Sequence, residues 1–210
     1  MNNGFFITFE GPDGSGKSTI IELVYKYLKD KNTPIILTRE PGGSIIAESI
    51  RSIILDKKNT KLSYSTEALV YAASRAQHFD EIIRASLLEN KVVLCDRFLD
   101  SSLVYQGIAR NLGVEEVLEI NRFAIKDTLP NLTIFFDVDP IVGLNRINKN
   151  SDREINRLDL ESVEFHQKVY EGYLTIVKEN SNRIVRVDAS QSIEKTFEDT
   201  IKIIEEKYHE

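Results

Sequence analysis

The chain has 210 residues, of which 41% are hydrophobic and 29% charged, as is typical of a folded protein of one domain. Its formal net charge of −6 argues against a surface that coats nucleic acid, although a local basic pocket remains compatible with it. The amino terminus lacks the pattern of a signal peptide, and no apolar run approaches the ~18 residues of a membrane span. The single cysteine, Cys95, cannot form an internal disulfide. We therefore expect a soluble cytoplasmic protein that binds neither membranes nor nucleic acid.

Short apolar strand patterns alternate along the chain with longer segments of helical period. The predicted strands are Gly4–Phe9, Pro34–Thr38, Val92–Cys95, Leu132–Asp137 and Arg183–Val187. The predicted helices are Lys17–Lys29, Ser44–Leu55, Tyr64–Leu88, Val114–Lys126, Asp139–Asn148, Asp159–Glu179 and Ser192–Tyr208. Five strand–helix units without a hairpin signal predict an α/β fold, with a five-stranded parallel sheet flanked by helices. No repeat or linker divides residues 1–210, and the polar stretch 148–159 is predicted to be a mobile loop.

The stretch GPDGSGKST, residues 11–19, follows the first predicted strand and opens the first predicted helix. It fits the pattern G-x-x-x-x-G-K-[ST] of a phosphate-binding loop, in which Lys17 reaches the β- and γ-phosphates and the Ser18 hydroxyl binds Mg²⁺. Because the strand, loop and helix occur in the required order, this interpretation is favoured over a chance match. The residues expected to contact ATP here are Gly11, Pro12, Asp13, Gly14, Ser15, Gly16, Lys17, Ser18 and Thr19.

A carboxylate that orients the water shell of Mg²⁺ commonly follows an apolar strand in such proteins. Asp96 follows the strand VVLC, and Asp137 ends the strand LTIFF, so the strand patterns leave two candidates. Arg97 favours Asp96, because an Asp-Arg pair places a second cation beside the phosphates. We expect Ser18 to bind Mg²⁺ together with Asp96, the carboxylate acting through water, and Asp137 to have a structural role.

Three polar clusters are candidates for the site of the phosphoryl acceptor. Tyr71 and Arg75 share one face of a predicted helix, with Ser74 beside them. A planar base could stack on the ring and bond the guanidinium at its edge, but a core tyrosine with a solvent-facing arginine is the alternative. The second cluster is DRFLDSSLVYQG, residues 96–107, and the third is TREPGG, residues 38–43, where a Gly-Gly turn permits close approach of a ligand.

Together these segments resemble the thymidylate kinase family. The resemblance is carried, from about Phe6 to the C-terminal region, by FEGPDGSGKST, TREPGG, TEALVYAASRAQH, CDRFLDSSLVYQG, NRLD and VDASQS. TREPGG with DRFLDSSLVYQG is far more specific than the phosphate-binding loop. The resemblance implies a three-layer P-loop nucleoside monophosphate kinase fold with a mobile lid. It also implies phosphorylation of dTMP to dTDP by ATP and Mg²⁺, for dTTP biosynthesis, and a homodimer whose interface the sequence does not identify.

The resemblance further implies roles for individual residues. Tyr71 takes the place of the aromatic residue that stacks on thymine, and Arg75 that of the residue that bonds the base edge. The full set implied at the acceptor is Asp13, Glu40, Arg51, Tyr71, Ser74, Arg75, Arg97, Ser102, Tyr105 and Gln106. The positions that resemble adenine contacts are Arg146, Ala189 and Gln191. A surface position for Arg51, a turn-forming role for Asp13 and an ordinary polar turn for VDASQS are the alternatives.

The phosphate-binding loop contains a single cation, Lys17, where a transferring phosphoryl group usually needs more positive charge. Some family members carry an arginine within this loop, whereas the bacterial type that this chain resembles supplies it from the lid. The lid, residues 148–159, offers Arg153 and Arg157. We expect Arg153 to close over the phosphoryl group with Arg157 as its support, so the expected catalytic set is Lys17, Arg97, Arg153 and Arg157. A solvated arginine neutralised by lid carboxylates is the alternative.

Three other functions are compatible with a phosphate-binding loop. A regulatory GTPase would need the guanine-reading pattern N-K-x-D, and the nearest string here is NKNS, residues 148–151. A nucleic-acid-dependent ATPase is disfavoured by the acidic charge balance. A kinase for another nucleotide differs only in its acceptor. The three histidines, His78, His166 and His209, show no catalytic pattern, and transfer to an ionised phosphate needs no general base.

Overall fold

The predicted parallel sheet is present in the structure, a computed structural model that describes residues 4–149 and 157–208. Its strands are Phe5–Glu10 (β1), Ile35–Arg39 (β2), Val92–Asp96 (β3), Leu132–Asp137 (β4) and Ile184–Asp188 (β5). They lie in the order β2-β3-β1-β4-β5, and all neighbouring strands are parallel. The chain therefore builds one side of β1 first and crosses to the other side at β4. In α/β proteins, ligands bind at the carboxyl ends of strands beside such a crossover.

Nine helices are described around the sheet within residues 4–149 and 157–208. They are Lys17–Asp30 (α1), Ile45–Leu55 (α2), Tyr64–His78 (α3), Arg84–Leu88 (α4), Leu99–Ser102 (α5), Val114–Ile125 (α6), Pro140–Lys149 (α7), Val163–Glu179 (α8) and Ile193–Tyr208 (α9). A π-helical turn, Phe79–Ile83, joins α3 to α4, so the long predicted helix is continuous. Each helix in the described ranges is too short or too polar to cross a membrane.

The segment after β3 differs from the sequence prediction, which assigned it no helix. α5 continues through the π-helical turn Leu103–Ala109. Apolar and polar side chains are buried here alike, among them Leu103, Tyr105 and Gln106. Because no face of this segment is left polar for solvent, it lacks the amphipathic period by which a helix is recognised in a sequence.

Two helix starts depend on single side chains. α8 begins at Val163 rather than at the predicted Asp159, because Ser162 Oγ accepts a hydrogen bond from the Phe165 backbone N–H at 3.3 Å. α7 begins at Pro140, and Asp139 caps it, since Asp139 Oδ1 accepts from the Ile141 N–H at 2.8 Å.

The core has two parts, one on each face of the sheet. Along β1, Phe6 belongs to the part covered by α3–α6 and α8, whereas Ile7 belongs to the part covered by α1 and α9. Phe135 and Phe136 divide between the two faces in the same way. This alternation follows from the two-residue period of a strand, and both faces are apolar because helices cover both.

A close backbone contact joins the phosphate-binding loop to α7. A Cβ on Gly14 would lie 2.1 Å from the Gly143 carbonyl oxygen, and one on Gly143 would lie 2.4 Å from the Asp13 carbonyl oxygen. Gly14 also has a φ of +76°, a left-handed conformation that other residues adopt at a cost. These two glycines allow α7 to approach the loop, and α7 carries Arg146 to the same end of the sheet.

Candidate active site

A cavity of about 630 Å³ opens at the carboxyl ends of the strands. It is lined by residues from distant parts of the sequence that were predicted to act together. The predicted site residues along it are Asp13, Gly14, Ser15, Gly16, Lys17, Ser18, Thr19, Glu40, Arg51, Tyr71, Arg75, Asp96, Arg97, Ser102, Tyr105, Gln106 and Arg146. The phosphate-binding loop and the acceptor clusters thus share one space.

A smaller group of predicted residues does not line this cavity. Those within the described chain are Gly11, Pro12, Ser74, Arg157, Ala189 and Gln191. Ser74 Oγ accepts from the Gly42 N–H at 3.2 Å and donates to the Ala47 carbonyl at 3.3 Å. It therefore connects the turn of TREPGG to α2. Arg153 lies outside the described residues.

The phosphate-binding loop wraps around the ammonium group of Lys17. Lys17 Nζ donates to the carbonyl oxygens of Gly11 and Pro12, both at 2.9 Å, and to Ser15 Oγ at 3.3 Å. Burial first, and then the positive charge of Arg97, lower the pKa of Lys17 to about 8, although nearby carboxylates oppose this shift. The loop therefore holds a buried cation that an anionic ligand would stabilise.

The two aspartates at the strand ends have different partners. Asp96 Oδ2 accepts from Ser18 Oγ at 2.9 Å, which brings the two predicted magnesium ligands together. Asp137 instead forms an ion pair with Arg186 of β5. This separates the two candidates, because Asp96 borders the cavity and Asp137 joins two strands.

Arg97 connects the end of β3 to the phosphate-binding loop. Its Nη2 donates to Asp13 Oδ1 at 2.6 Å, and the Tyr105 hydroxyl donates to the other oxygen of Asp13 at 3.2 Å. The Arg97 backbone has a φ of +67°, which is rare for a residue with a side chain. Its N–H donates to the Phe9 carbonyl at 3.0 Å, which ties this conformation to β1.

A buried carboxylate, Glu10, supports the turn that follows Arg97. Its Oε1 accepts from the backbone N–H groups of Phe98 and Ser101 at 2.8 and 3.2 Å. Its Oε2 accepts from the hydroxyls of Ser101 and Tyr173 at 2.5 and 2.9 Å. Burial, and then the charge of Asp100, raise the pKa of Glu10 to about 6, although the positive charge of Arg97 opposes this shift.

Arg75 is buried at the cavity wall, with an exposed fraction of 2%. Its Nε donates to Glu40 Oε2 at 2.7 Å, and its Nη1 donates to Ser102 Oγ at 2.9 Å and to Asn121 Oδ1. The other oxygen of Glu40 lies 3.0 Å from Nδ1 of the buried His78. Arg75 is therefore not the solvent-facing arginine of the alternative interpretation, and its orientation is fixed by α3, α6 and the TREPGG segment.

Arg157 contacts α2 and α3 and does not line the cavity. Its Nη2 donates to Glu67 Oε2 at 2.6 Å, and its Nε donates to the Ile54 carbonyl at 3.1 Å. Its backbone N–H donates to the Leu55 carbonyl at 3.2 Å. In this structure Arg157 anchors the end of the predicted lid.

Two further groups of contacts complete the cavity. Arg51 Nη1 donates to the Pro41 carbonyl at 2.7 Å, which brings α2 to the TREPGG turn. At the ATP end, Arg146 Nη1 donates to the Ala189 carbonyl at 3.1 Å, so these two predicted residues meet. Gln191 Nε2 bonds within its own turn, to the Asp188 carbonyl at 3.2 Å.

Comparisons with known proteins identify the family. The family model described as thymidylate kinase matches residues 9–200. The chain belongs to the thymidylate kinase family. It is 53% identical to a thymidylate kinase of Clostridium novyi (strain NT), over 95% of this chain and 97% of the relative. It is 55% identical to one of Geobacillus sp. (strain WCH70), over 96% of each chain.

A solved structure supports the same assignment. A thymidylate kinase of Ehrlichia chaffeensis superposes with a TM-score of 0.77 at 33% identity, covering 96% of this chain and 99% of the other. The predicted P-loop nucleoside monophosphate kinase fold is thereby confirmed. As a member of the thymidylate kinase family, the chain is an ATP-dependent enzyme that phosphorylates dTMP to dTDP, a step of dTTP biosynthesis.

Several residues of this thymidylate kinase site were not predicted from the sequence. Leu55, Ile147 and Leu158 line the cavity. Glu67 and Asn121 act behind it, on Gln106 and Arg75 respectively. Glu67 precedes Tyr71 by one helical turn, and this spacing is the one sequence signal that could have indicated it.

The lowered pKa of Lys17 predicts a pH dependence of ATP binding. Above pH 8 Lys17 is mostly neutral in the free enzyme, and it must take up a proton when ATP binds. Between pH 7 and pH 9 we expect the Kd for ATP to rise about tenfold, with proton uptake. Isothermal titration calorimetry in two buffers of different ionisation enthalpy measures the Kd and the number of protons taken up. Lys17→Arg keeps its charge over this range and should show a flat profile; a flat wild-type profile would contradict the prediction.

The different partners of Asp96 and Asp137 predict different defects for two matched substitutions. Asp96→Asn should lower kcat by about tenfold to a hundredfold, because it removes the charge of the carboxylate that accepts from Ser18 and is expected to orient the water shell of Mg²⁺. Asp137→Asn should leave kcat unchanged and lower the free energy of unfolding by about 1 kcal/mol or less, since Arg186 is 59% exposed. Steady-state kinetics and urea unfolding measure the two effects. A loss of kcat in Asp137→Asn, with unchanged kcat in Asp96→Asn, would show that Asp137 is the functional carboxylate.

Proposed function

We propose that this cavity transfers the γ-phosphoryl group of ATP to dTMP, within one kinase domain formed by residues 1–210. The observation that carries the proposal is that Lys17 and Arg97 border one cavity between the phosphate-binding loop and the acceptor clusters. A phosphoryl group in transfer spreads negative charge over its oxygens, and cations fixed beforehand stabilise that charge without reorganising.

At the acceptor end, Tyr71 stacks on the thymine and Arg75 donates to the base edge, with Ser102 and Gln106 in support. The bonds from Arg75 to Glu40 and Ser102 favour this role, because they hold the guanidinium in one orientation. Arg51 and Arg97 hold the dTMP phosphate. At the opposite end, Arg146 and the Ala189–Gln191 turn contact adenine.

Mg²⁺ is the metal proposed for this site. Ser18 Oγ and Asp96 Oδ2 lie 2.9 Å apart, and hydroxyl and carboxylate oxygens are the ligands that this hard cation prefers. Ser18 binds it directly and Asp96 through water. When bound, Mg²⁺ neutralises charge on the β- and γ-phosphate oxygens.

The acceptor oxygen needs no general base. The second pKa of a phosphate monoester is about 6, so the phosphate of dTMP is ionised at neutral pH. The chain's contribution is therefore positioning and charge. Lys17 and Arg97 supply two cations, Arg153 supplies a third when the lid closes, and Arg157 supports the lid through its contacts with α2 and α3.

A homodimer in the cytoplasm is proposed for the assembled enzyme. Leu69 of α3 and Phe123 of α6 are 55% and 89% exposed, on two helices that pack against each other. A second copy of the chain would cover these apolar side chains. Light scattering should give the mass of two chains; a single-chain mass would exclude the homodimer.

A panel of acceptors tests the proposed function. ADP formation is measured with ATP and Mg²⁺ in the presence of dTMP, dUMP, dCMP, dAMP, dGMP or thymidine, and without acceptor. The highest kcat/KM is expected with dTMP, and chelation of Mg²⁺ with EDTA should abolish it. Preference for another monophosphate would overturn the proposed base contacts, and equal slow turnover in every reaction would overturn the proposal of acceptor phosphorylation.

The lid arginines give a matched pair of variants. Arg153→Ala should lower kcat by about 10³-fold with little change in the KM for dTMP, because this charge acts on the transferring group. Arg157→Ala should have a smaller effect on kcat, since its partners are Glu67 and α2. Steady-state kinetics of both variants decide between them. Unchanged turnover in Arg153→Ala, with a large loss in Arg157→Ala, would reverse the two roles.

A further inference from the structure

Glu67 is a buried carboxylate that lies behind the cavity rather than on its wall. It is in the first turn of α3, and its exposed fraction is 0%. Its Oε1 accepts from Gln106 Nε2 at 2.9 Å, and its Oε2 accepts from Arg157 Nη2 at 2.6 Å. Arg110 Nε lies 3.5 Å from Oε1. The guanidinium groups of Arg110 and Arg157 therefore both pair with this carboxylate.

The contact with Glu67 determines which end of the Gln106 amide faces the cavity. A carboxylate paired with guanidinium groups accepts hydrogen bonds, so the group that Gln106 turns toward Glu67 is its NH₂. The oxygen and nitrogen of an amide lie on separate branches of one plane. With Nε2 directed at Glu67, Oε1 remains as the atom that Gln106 presents to the cavity it lines.

We propose that Glu67 is a positioning residue that sets base specificity: by orienting the Gln106 amide, it makes the cavity present an acceptor to the base. The inference rests on the proposed function, in which Gln106 lies at the base of the acceptor nucleotide. Through this orientation, Glu67 would give the enzyme its preference for pyrimidines that carry a hydrogen on ring nitrogen N3.

The chemistry of the bases explains this preference. Thymine and uracil carry a hydrogen on N3 and can donate it to Gln106 Oε1. Cytosine has a lone pair at N3, which would face the amide oxygen without a hydrogen between them. A buried acceptor left without a donor is costly, and the bond it replaces is lost as well. Fixing the amide thus favours dTMP and dUMP over dCMP, but it does not distinguish dTMP from dUMP.

The substitution Glu67→Gln removes the fixed orientation. The new amide can accept from Gln106 Nε2 or donate to Gln106 Oε1, so both orientations of Gln106 become available. We expect the ratio of affinities for dTMP and dCMP to fall by at least about tenfold. The ratio for dTMP and dUMP should stay within about twofold, because these bases differ only in a methyl group. Isothermal titration with each of the three nucleotides gives both ratios.

Glu161→Gln is the matched control. Like Glu67, Glu161 pairs with Arg110, at 2.5 Å. The hydrogen bond that Gln106 Nε2 donates goes to Glu67, so the control changes a carboxylate beside Arg110 without changing that bond. The control should keep both affinity ratios of the wild type. Glu67→Asp retains a carboxylate, which only accepts, and should keep the dTMP preference over dCMP; it carries the test if Glu67→Gln does not fold.

The outcomes separate this inference from the function on which it rests. If the wild type does not prefer dTMP to dCMP, the proposed base contacts fail. If the wild type prefers dTMP and Glu67→Gln keeps that preference, the inference alone fails. It also fails if both ratios fall together in Glu67→Gln, since that result indicates general loosening, or if Glu67→Asp loses the preference.

Discussion

The ion pair between Arg97 and Asp13 is the contact on which the arrangement of the cavity depends. It joins the end of β3 to the phosphate-binding loop at 2.6 Å, between the proposed ATP and dTMP ends. The left-handed backbone at Arg97 costs free energy on the order of 1 kcal/mol, and it persists because neighbouring groups determine it. The Arg97 N–H bonds β1, and Glu10 holds the turn that follows. Contacts within the chain therefore hold the site residues in place.

Buried charges beneath this contact are paired, which is what makes the arrangement rigid. Asp100 accepts two hydrogen bonds from Arg183, at 2.6 and 2.8 Å, and Glu10 accepts from four donors. An unpaired charge at these positions would cost several kcal/mol, so each group restrains its partner. Arg75 is restrained in the same way by Glu40. The proposed base-binding residues thus take their orientation from a second layer of side chains, of which Glu67 is the member that accepts from Arg157.

Much of the fold follows from the sequence, because the strands are short apolar runs separated by helical periods. The predicted first and last residues of all five strands agree with the structure to within one position. α5 was missed because its polar and apolar faces are both buried. The phosphate-binding loop and the acceptor clusters were identified because they consist of contiguous residues with characteristic spacing.

The remaining features of the site depend on tertiary contacts that no local pattern records. Asp96 and Asp137 both follow apolar strands, and only their partners, Ser18 and Arg186, separate them. Arg157 was expected near the phosphates as a support, and its contact with Glu67 joins residues 90 positions apart. The contribution of Glu67 itself could not be predicted, because a glutamate in the first turn of a helix ordinarily serves the helix dipole.

We propose that both nucleotides bind together in one cavity, which Arg97 and the phosphate-binding loop border. A compound that joins the 5′ positions of adenosine and thymidine through a chain of phosphates tests it most directly. We predict that one molecule binds per chain, measured by isothermal titration, and that prior saturation with either ATP or dTMP prevents its binding. Binding of two molecules per chain, or competition with only one of the nucleotides, would show that the two nucleotides do not share this cavity.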